Sequence, residues 1–273
     1  MTTEGTTGQQ VKTSLHLPSL NEKQIITIPI IMVIAAELLL YSAHLKAGIT
    51  LHVLTVLLLS LSSVWITESH ASRSLQVLAL LPILRLLNVS MPVFSQMTLN
   101  LYVYIYAPLF VPAYLVIRHQ NISISRLGLG SEKLLKYIPT SIIVGGLIAG
   151  GEYMTIHAGN LIPDLSLGNI LKLSLIMIFF VGFVEELVFR SLLQTRLADS
   201  FGVLKGLLIA SLLFGVMHSG YGTFYEIIYT SFAGLVLGYM FQKTNSLPLV
   251  SLTHGFVNIF LFGIIPLLPY FQS

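Results

Sequence analysis

Long apolar stretches separated by short polar connections occupy most of this 273-residue chain. A helix needs roughly 20 mainly apolar residues to cross the hydrocarbon core of a bilayer. We expect a membrane-spanning helix at each of the stretches 25–41, 51–66, 75–94, 101–117, 138–156, 170–197, 203–218, 224–241 and 247–268. The pattern therefore predicts an all-α fold, a polytopic membrane helical bundle with about eight to nine transmembrane helices.

Two parts of the chain depart from this pattern. The stretch 75–94 is interrupted by Pro82, Arg85 and Asn88, so we expect a kinked, re-entrant or protein-enclosed helix there. Residues 1–24 are polar and rich in Thr and Gln, and no signal-peptide cleavage pattern follows the first apolar stretch. We therefore expect a flexible N-terminal tail over residues 1–24 and one multi-pass membrane domain over residues 25–270.

The composition agrees with a membrane protein. Hydrophobic residues make up 55% of the chain and charged residues only 9%, whereas a soluble domain carries about 25% charged residues. The lipid bilayer is therefore one predicted partner. The net charge of +3 is too small to indicate nucleic acid as another. Because the chain has no cysteine, it has no disulfide, no thiolate metal ligand and no cysteine nucleophile.

Basic residues are concentrated in particular connections, and this distribution predicts the orientation. The connection 118–136 carries four Arg or Lys residues against one acidic residue, so the positive-inside rule places it in the cytoplasm. The connection 157–164 is acidic and is expected outside, whereas Arg196, Lys205 and Lys243 fall inside. The chain is therefore predicted to lie in the cell membrane with a cytoplasmic N-terminus.

Glu185 and Glu186 lie side by side within the apolar stretch 170–197. An ionised carboxylate in hydrocarbon costs about 3 kcal/mol even on insertion scales, so an intramembrane carboxylate indicates a function. Glu186 and Arg190 are four residues apart and share a helix face, which predicts an ion pair. Glu185 has no such partner, so we assign it the chemical role and Glu186 a structural one. The alternative is that both glutamates only join helices through ion pairs.

Two histidines occupy positions from which they can reach these glutamates. The turn after the glutamate helix lies about 16 residues after Glu185 and about 17 before His218. On antiparallel helices both side chains therefore lie at a similar depth. Phe214 shares the face of His218, and His254 shares a face with Asn258 on a third helix. Sites in the core of helical bundles are typically built from polar groups on several helices in this way.

Three short motifs carry a resemblance to a known family. EELVFR at 185–190, FGVMH at 214–218 and HGFVN at 254–258 match, in order, the patterns EExxxR, FxxxH and HxxxN. They resemble those of the CAAX protease and bacteriocin-processing family of intramembrane proteases, CPBP, also called ABI. The resemblance covers roughly residues 170–269, which would be the catalytic core. The family includes the type II CAAX prenyl endopeptidase, which removes the terminal tripeptide from prenylated proteins.

The resemblance implies a membrane-embedded endopeptidase and a role for each motif residue. Glu185 would activate water with assistance from His218, while His254 and Asn258 would stabilise the oxyanion. The supporting residues would be Glu186, Arg190 and Phe214. The substrate would be a peptide or protein, and the sequence leaves open whether it is prenylated.

The sequence leaves two further choices open. Glu185, His218 and His254 could hold a divalent metal such as zinc with water in the fourth position, or they could act without a metal. The enzyme would accordingly be a metallo- or a glutamate-dependent endopeptidase. The alternative function is a proton- or ion-coupled transporter that uses the intramembrane Glu and His groups as a relay. Transporters often contain internal repeats, and none is visible in this sequence.

Other polar and aromatic residues within the apolar stretches are assigned plainer roles. Glu37, His52, Glu152 and Glu226 are expected to be interhelical contacts or boundary residues. Arg85 is expected to extend to the interface or to pair with one of these carboxylates. The aromatic cluster YVYIY at 102–106 predicts an interfacial belt, with a lipid-binding wall as the alternative.

Overall fold

The computed structural model describes residues 20–66, 70–91, 98–130 and 134–271. These residues confirm the predicted all-α fold. The helices are α1 (Glu22–Tyr41), α2 (Leu45–Trp65), α3 (His70–Leu78), α4 (Leu80–Ser90), α5 (Leu99–Tyr106), α6 (Phe110–His119), α7 (Leu134–Ile156), α8 (Leu167–Leu175), α9 (Phe183–Glu186), α10 (Thr195–Phe201), α11 (Val203–Val216), α12 (Phe224–Thr244) and α13 (Leu247–Ile259). Most of the predicted N-terminal tail, residues 1–19, lies outside the described residues.

The predicted spans correspond closely to these helices. Among the described residues, eight helical stretches are long and apolar enough to cross a membrane, which confirms a polytopic bundle. The predicted stretch 138–156 is α7, a helix of 23 residues that is not one of those eight. The first helix begins at Glu22 because Asn21 caps it, with its side chain accepting from the Gln24 backbone at 2.9 Å.

The described part of the irregular stretch, residues 75–91, is enclosed by other helices. It consists of α3 and α4, which together begin at His70 and are separated by a turn at Ala79. Pro82 lies in the first turn of α4, where a missing backbone N–H costs little. Arg85 is only 5% exposed, so it points into the bundle instead of extending to the interface.

The C-terminal helices form the part of the bundle that contains the motif residues. Helix α13 packs against α7, α8, α9 and α12, and α11 packs against α12 and α10. The N-terminal helix α1 contacts α10 and α11, and α3 contacts α10. His254 and Asn258 therefore lie on α13, a central helix. His218 follows α11, which α1 also contacts.

Three connections meet at one end of the bundle. Arg126, which follows α6, forms an ion pair with Asp199 of α10 at 2.6 Å. The Asn245 side chain, which follows α12, donates to the Ser125 carbonyl oxygen at 2.9 Å. The Leu247 backbone donates to the Gly128 carbonyl oxygen at 3.0 Å. The connections that carry most of the basic residues thus lie on the same side, as the predicted alternation requires.

Candidate active site

Glu185 and Glu186 lie near the middle of the longest helical stretch, Leu167–Phe201, which has 35 residues. The segments Ile176–Gly182 and Leu187–Gln194 form wider π-helical turns, and α9 between them has only four residues. π-Helical turns are rare and often occur at functional sites. The two glutamates are therefore presented by a locally irregular helix.

Close packing brings α13 against this stretch. Gly182 has no side chain, and a Cβ atom there would lie 2.7 Å from the Ser251 carbonyl oxygen of α13. A Cβ atom at Gly255 would lie 2.5 Å from the side chain of Ile178. A larger residue at either position would force the two backbones apart. This approach places His254, the chain neighbour of Gly255, beside the glutamates.

Glu186 is fully buried and has two partners. Its Oε2 accepts a hydrogen bond from Arg190 Nε at 2.9 Å, which confirms the predicted ion pair. Its Oε1 lies 2.8 Å from His254 Nδ1. A carboxylate paired with arginine only accepts hydrogen bonds, so His254 Nδ1 is the donor. Glu186 therefore orients a motif histidine in addition to pairing with Arg190.

Only one oxygen of the Glu185 carboxylate has a hydrogen-bond partner among the described residues. The Tyr106 hydroxyl donates to Glu185 Oε1. The other oxygen, Oε2, accepts no hydrogen bond from the described residues and lies 3.9 Å from His254 Nε2. The interfacial belt predicted for the cluster at 102–106 is therefore wrong for Tyr106, which is buried beside Glu185. An alternating aromatic pattern gives no sign of which tyrosine faces the core.

His218 directly follows Met217, the C-terminal cap of α11, and has a defined ring orientation. Its Nδ1 lies 2.8 Å from the carbonyl oxygen of Phe214. Because a carbonyl oxygen only accepts, Nδ1 carries the hydrogen, and Nε2 of the neutral ring remains an acceptor. His218 in this tautomer can accept a hydrogen bond from water through Nε2.

The ring of Phe214 stands between three other motif residues. Its centroid lies 4.7 Å from the His218 ring and 5.7 Å from the His254 ring. The Arg190 guanidinium carbon lies 4.6 Å from the same centroid, within the range of a cation–π interaction. Phe214 thus separates and supports these groups.

Two neighbouring cavities share a wall formed by His218 and Tyr221. The larger has a volume of about 210 Å³ and is lined by Glu185 together with mainly apolar and aromatic side chains. The smaller has a volume of about 30 Å³, enough for one or two water molecules, and is lined by His254 and Asn258. The structure therefore brings the four predicted catalytic residues together. Glu185 lines the larger cavity, His254 and Asn258 line the smaller one, and His218 lines both.

A buried polar cluster from the N-terminal helices holds the turn that carries His218. Arg85 donates to both carboxylate oxygens of Glu37 at 2.7 Å, and the Ser219 hydroxyl donates to Glu37 Oε2 at 2.7 Å. Arg85 also donates to the Met217 carbonyl oxygen. The residues on both sides of His218 are therefore bound to one buried ion pair. The expected pairing of Arg85 with a carboxylate is confirmed, but its contact with this turn had no signal in the sequence.

Two further carboxyl groups lie at or near the smaller cavity. Glu152 of α7 is buried and lines it, and Glu226 of α12 is buried as well. Thr155 of α7 donates to Glu226 Oε2 at 2.6 Å. The expected interhelical role is therefore confirmed for Glu226.

Glu185, His218 and His254 do not form a three-ligand metal site. Among the residues that the structure describes, no group of three His, Asp or Glu side chains is arranged to hold a metal ion. His254 Nδ1 is bound to Glu186, so its Nε2, 3.9 Å from Glu185 Oε2, is the ring nitrogen that faces Glu185.

Comparison with known families agrees with the motifs. Residues 167–260 match the family model described as type II CAAX prenyl endopeptidase Rce1-like. This range runs from the start of α8 to just beyond α13 and contains all three motifs, so the predicted resemblance is confirmed there. The apolar helices identify a multi-pass membrane protein. No curated protein and no solved structure matches the chain.

Proposed function

We propose that this protein is an intramembrane endopeptidase in which Glu185 is the general base. The observation that carries the proposal is the position of this carboxylate. One oxygen is fixed by Tyr106, and the other is buried, lacks a hydrogen-bond partner among the described residues, and borders a cavity. A buried polar atom without a partner is costly, so such an arrangement is expected where a substrate or a reacting water binds.

The reaction begins with water bound to Glu185 Oε2. The carboxylate removes a proton from this water as the oxygen attacks the carbonyl carbon of the peptide bond. The tetrahedral intermediate then collapses, and the proton held by Glu185 is transferred to the leaving nitrogen as the C–N bond breaks. The products are a carboxylic acid and an amine, and Glu185 returns to its ionised state.

His218 assists by positioning the reacting water. With Nδ1 donating to the Phe214 carbonyl oxygen, Nε2 is an acceptor at the boundary between the two cavities. It can therefore accept a hydrogen bond from the water that Glu185 deprotonates. Holding the water between two acceptors restricts its orientation before the attack.

His254 and Asn258 stabilise the developing oxyanion. Glu186 accepts from His254 Nδ1, and its negative charge favours a ring that also carries hydrogen on Nε2. The Asn258 amide supplies a second donor from the next turn of α13. Loss of one such donor typically lowers kcat by about 10²–10³-fold. Their small cavity suits a single oxygen atom better than a substrate side chain.

A direct test uses the purified protein in liposomes with a panel of prenylated and unprenylated peptides. The proposal predicts a new amino terminus in at least one peptide, and cleavage that persists in the presence of a chelator. Cleavage that the chelator abolishes would replace the glutamate scheme with a metal-dependent one. Ion or solute uptake without peptide cleavage would favour the transporter alternative.

A further inference from the structure

Glu152 of α7 is a buried residue that the proposed mechanism does not use. It is 6% exposed and lies outside the range of the family match, residues 167–260. It lines the smaller cavity together with His218, His254 and Asn258. Because that cavity has a volume of only about 30 Å³, an oxygen atom bound there lies close to every polar group in its wall. The substrate oxygen that His254 and Asn258 are proposed to bind therefore also meets Glu152.

Close packing of α7 places Glu152 inside the bundle. The preceding residue, Gly151, has no side chain, and a Cβ atom there would collide with Tyr229 of α12. The Tyr229 hydroxyl donates to the Ile148 carbonyl oxygen of α7 at 2.9 Å. Helix α13, which carries His254, also packs against α7. Glu152 therefore lies between helices and not at the lipid surface.

The surroundings of Glu152 favour a neutral carboxyl group. No Lys, Arg or His side chain of the described residues forms an ion pair with it, and the charge that His254 can carry is paired with Glu186. The other titratable groups at the cavity are His218 and Tyr221. Two carboxyl groups interact with Glu152 electrostatically, Glu226 of α12 and Glu185, which the mechanism requires in its ionised form. A buried carboxyl group that lacks a counter-ion and lies near like charges keeps its proton.

The protonation state decides what Glu152 can do in this cavity. An ionised carboxylate only accepts hydrogen bonds and would repel the oxyanion of the tetrahedral intermediate. A neutral carboxyl group carries an O–H that can donate to this oxyanion. Donors fixed in a site closed to water stabilise a developing charge strongly, because they need no reorganisation during the reaction.

We propose that neutral Glu152 is a third hydrogen-bond donor to the oxyanion, beside His254 and Asn258. This inference rests on the proposed endopeptidase function. The proton stays on Glu152 throughout the reaction. When the C–N bond breaks, an electron pair of the oxyanion re-forms the carbonyl double bond, and the hydrogen bond from Glu152 weakens. A helix outside the matched family range thus supplies a catalytic residue.

Two substitutions of Glu152 distinguish a hydrogen-bond donor from a group that transfers a proton. Glu152→Leu removes the donor and should lower kcat by about 10²–10³-fold with little change in KM, because the oxyanion exists only after the substrate has bound. Glu152→Gln keeps an N–H donor on a side chain of similar size and should retain most of the wild-type kcat. Tyr229→Phe is the matched control, since it removes an α12–α7 hydrogen bond without changing the lining of either cavity, and its kcat should equal that of the wild type.

Infrared spectroscopy of the purified protein tests the neutral state without turnover. The C=O stretch of a protonated carboxyl group is separate from the bands of a carboxylate. We expect a protonated-carboxyl band that disappears in Glu152→Gln and persists in Glu226→Gln. A wild-type spectrum without this band, or a band that only Glu226→Gln removes, would overturn the inference.

The kinetic results separate a failure of this inference from a failure of the proposed function. If the wild type cleaves peptide and folded Glu152→Leu is equally active, Glu152 is not a donor. If Glu152→Gln is as inactive as Glu152→Leu, the residue transfers a proton instead, which also overturns the inference. Melting temperatures identify folded protein, and Glu152→Met replaces Glu152→Leu if the latter does not fold. A wild type that cleaves no peptide refutes the proposed function, and the inference with it.

Discussion

Replacement of Glu37 by leucine is expected to destabilise the protein strongly, although Glu37 does not line the larger cavity. In the native protein Glu37 accepts two hydrogen bonds from Arg85 and one from Ser219, and it is completely buried. The Glu37→Leu variant would leave the Arg85 guanidinium buried without its counter-ion. The Met217 carbonyl oxygen would be its remaining hydrogen-bond partner in this cluster.

The expected magnitude follows from this loss of a partner. Breaking a buried ion pair by removing one side costs about 3–5 kcal/mol. For a protein of this size, roughly 2–4 °C of melting temperature correspond to 1 kcal/mol. The midpoint of thermal unfolding in detergent should therefore fall by about 6–20 °C. The double variant Glu37→Leu/Arg85→Met should melt higher than Glu37→Leu alone, because it removes both charges.

Arg126→Gln provides the matched control for this measurement. It breaks only the Arg126–Asp199 ion pair, whose arginine side chain is 45% exposed, and Asp199 keeps Arg196 as a partner, so the expected loss is below about 1 kcal/mol. A Glu37→Leu variant that melts with the wild type would refute the reasoning. So would a double variant that is less stable than both single variants, since unpaired charge would then not be the cause.

Three further predictions concern the site itself. Tyr106→Phe removes the hydrogen bond to Glu185 and should lower kcat by about 10–100-fold in a protein that still unfolds cooperatively. An unaltered kcat would show that Glu185 needs no such support. Gly255→Ala should lower both activity and melting temperature, because its Cβ atom would press on Ile178 and displace His254; full activity would contradict the close packing. A chelator should leave the cleavage rate of the purified protein unchanged, and loss of activity that zinc restores would contradict the glutamate scheme.

Local sequence patterns predicted much of the fold and part of the site. The apolar stretches located the spans because bilayer thickness fixes their length. The spacing of four residues predicted the Glu186–Arg190 ion pair because that spacing places both on one helix face. Counting residues from a shared turn predicted similar depths for Glu185 and His218, and both line one cavity.

The contacts that the sequence did not reveal join residues far apart in the chain. Tyr106 is 79 residues from Glu185, and Ser219 is 182 residues from Glu37. No periodicity encodes such pairs, because they depend on how separate helices pack. The π-helical turns on both sides of α9 also change the helical register locally. The hydrogen bond between Glu186 and His254 joins residues 68 positions apart on separate helices, so no local pattern predicts it either.

The central claim is that Glu185 activates the water that cleaves the peptide bond, and it is tested most directly by Glu185→Gln. An amide of the same size cannot take the proton, so the rate of peptide cleavage should fall by about 10²–10⁴-fold while the melting temperature shows a folded protein. Glu186→Gln, measured beside it, should retain more activity because Glu186 orients His254 and pairs with Arg190 but does not take the proton. A folded Glu185→Gln variant that cleaves as fast as the wild type would contradict the account.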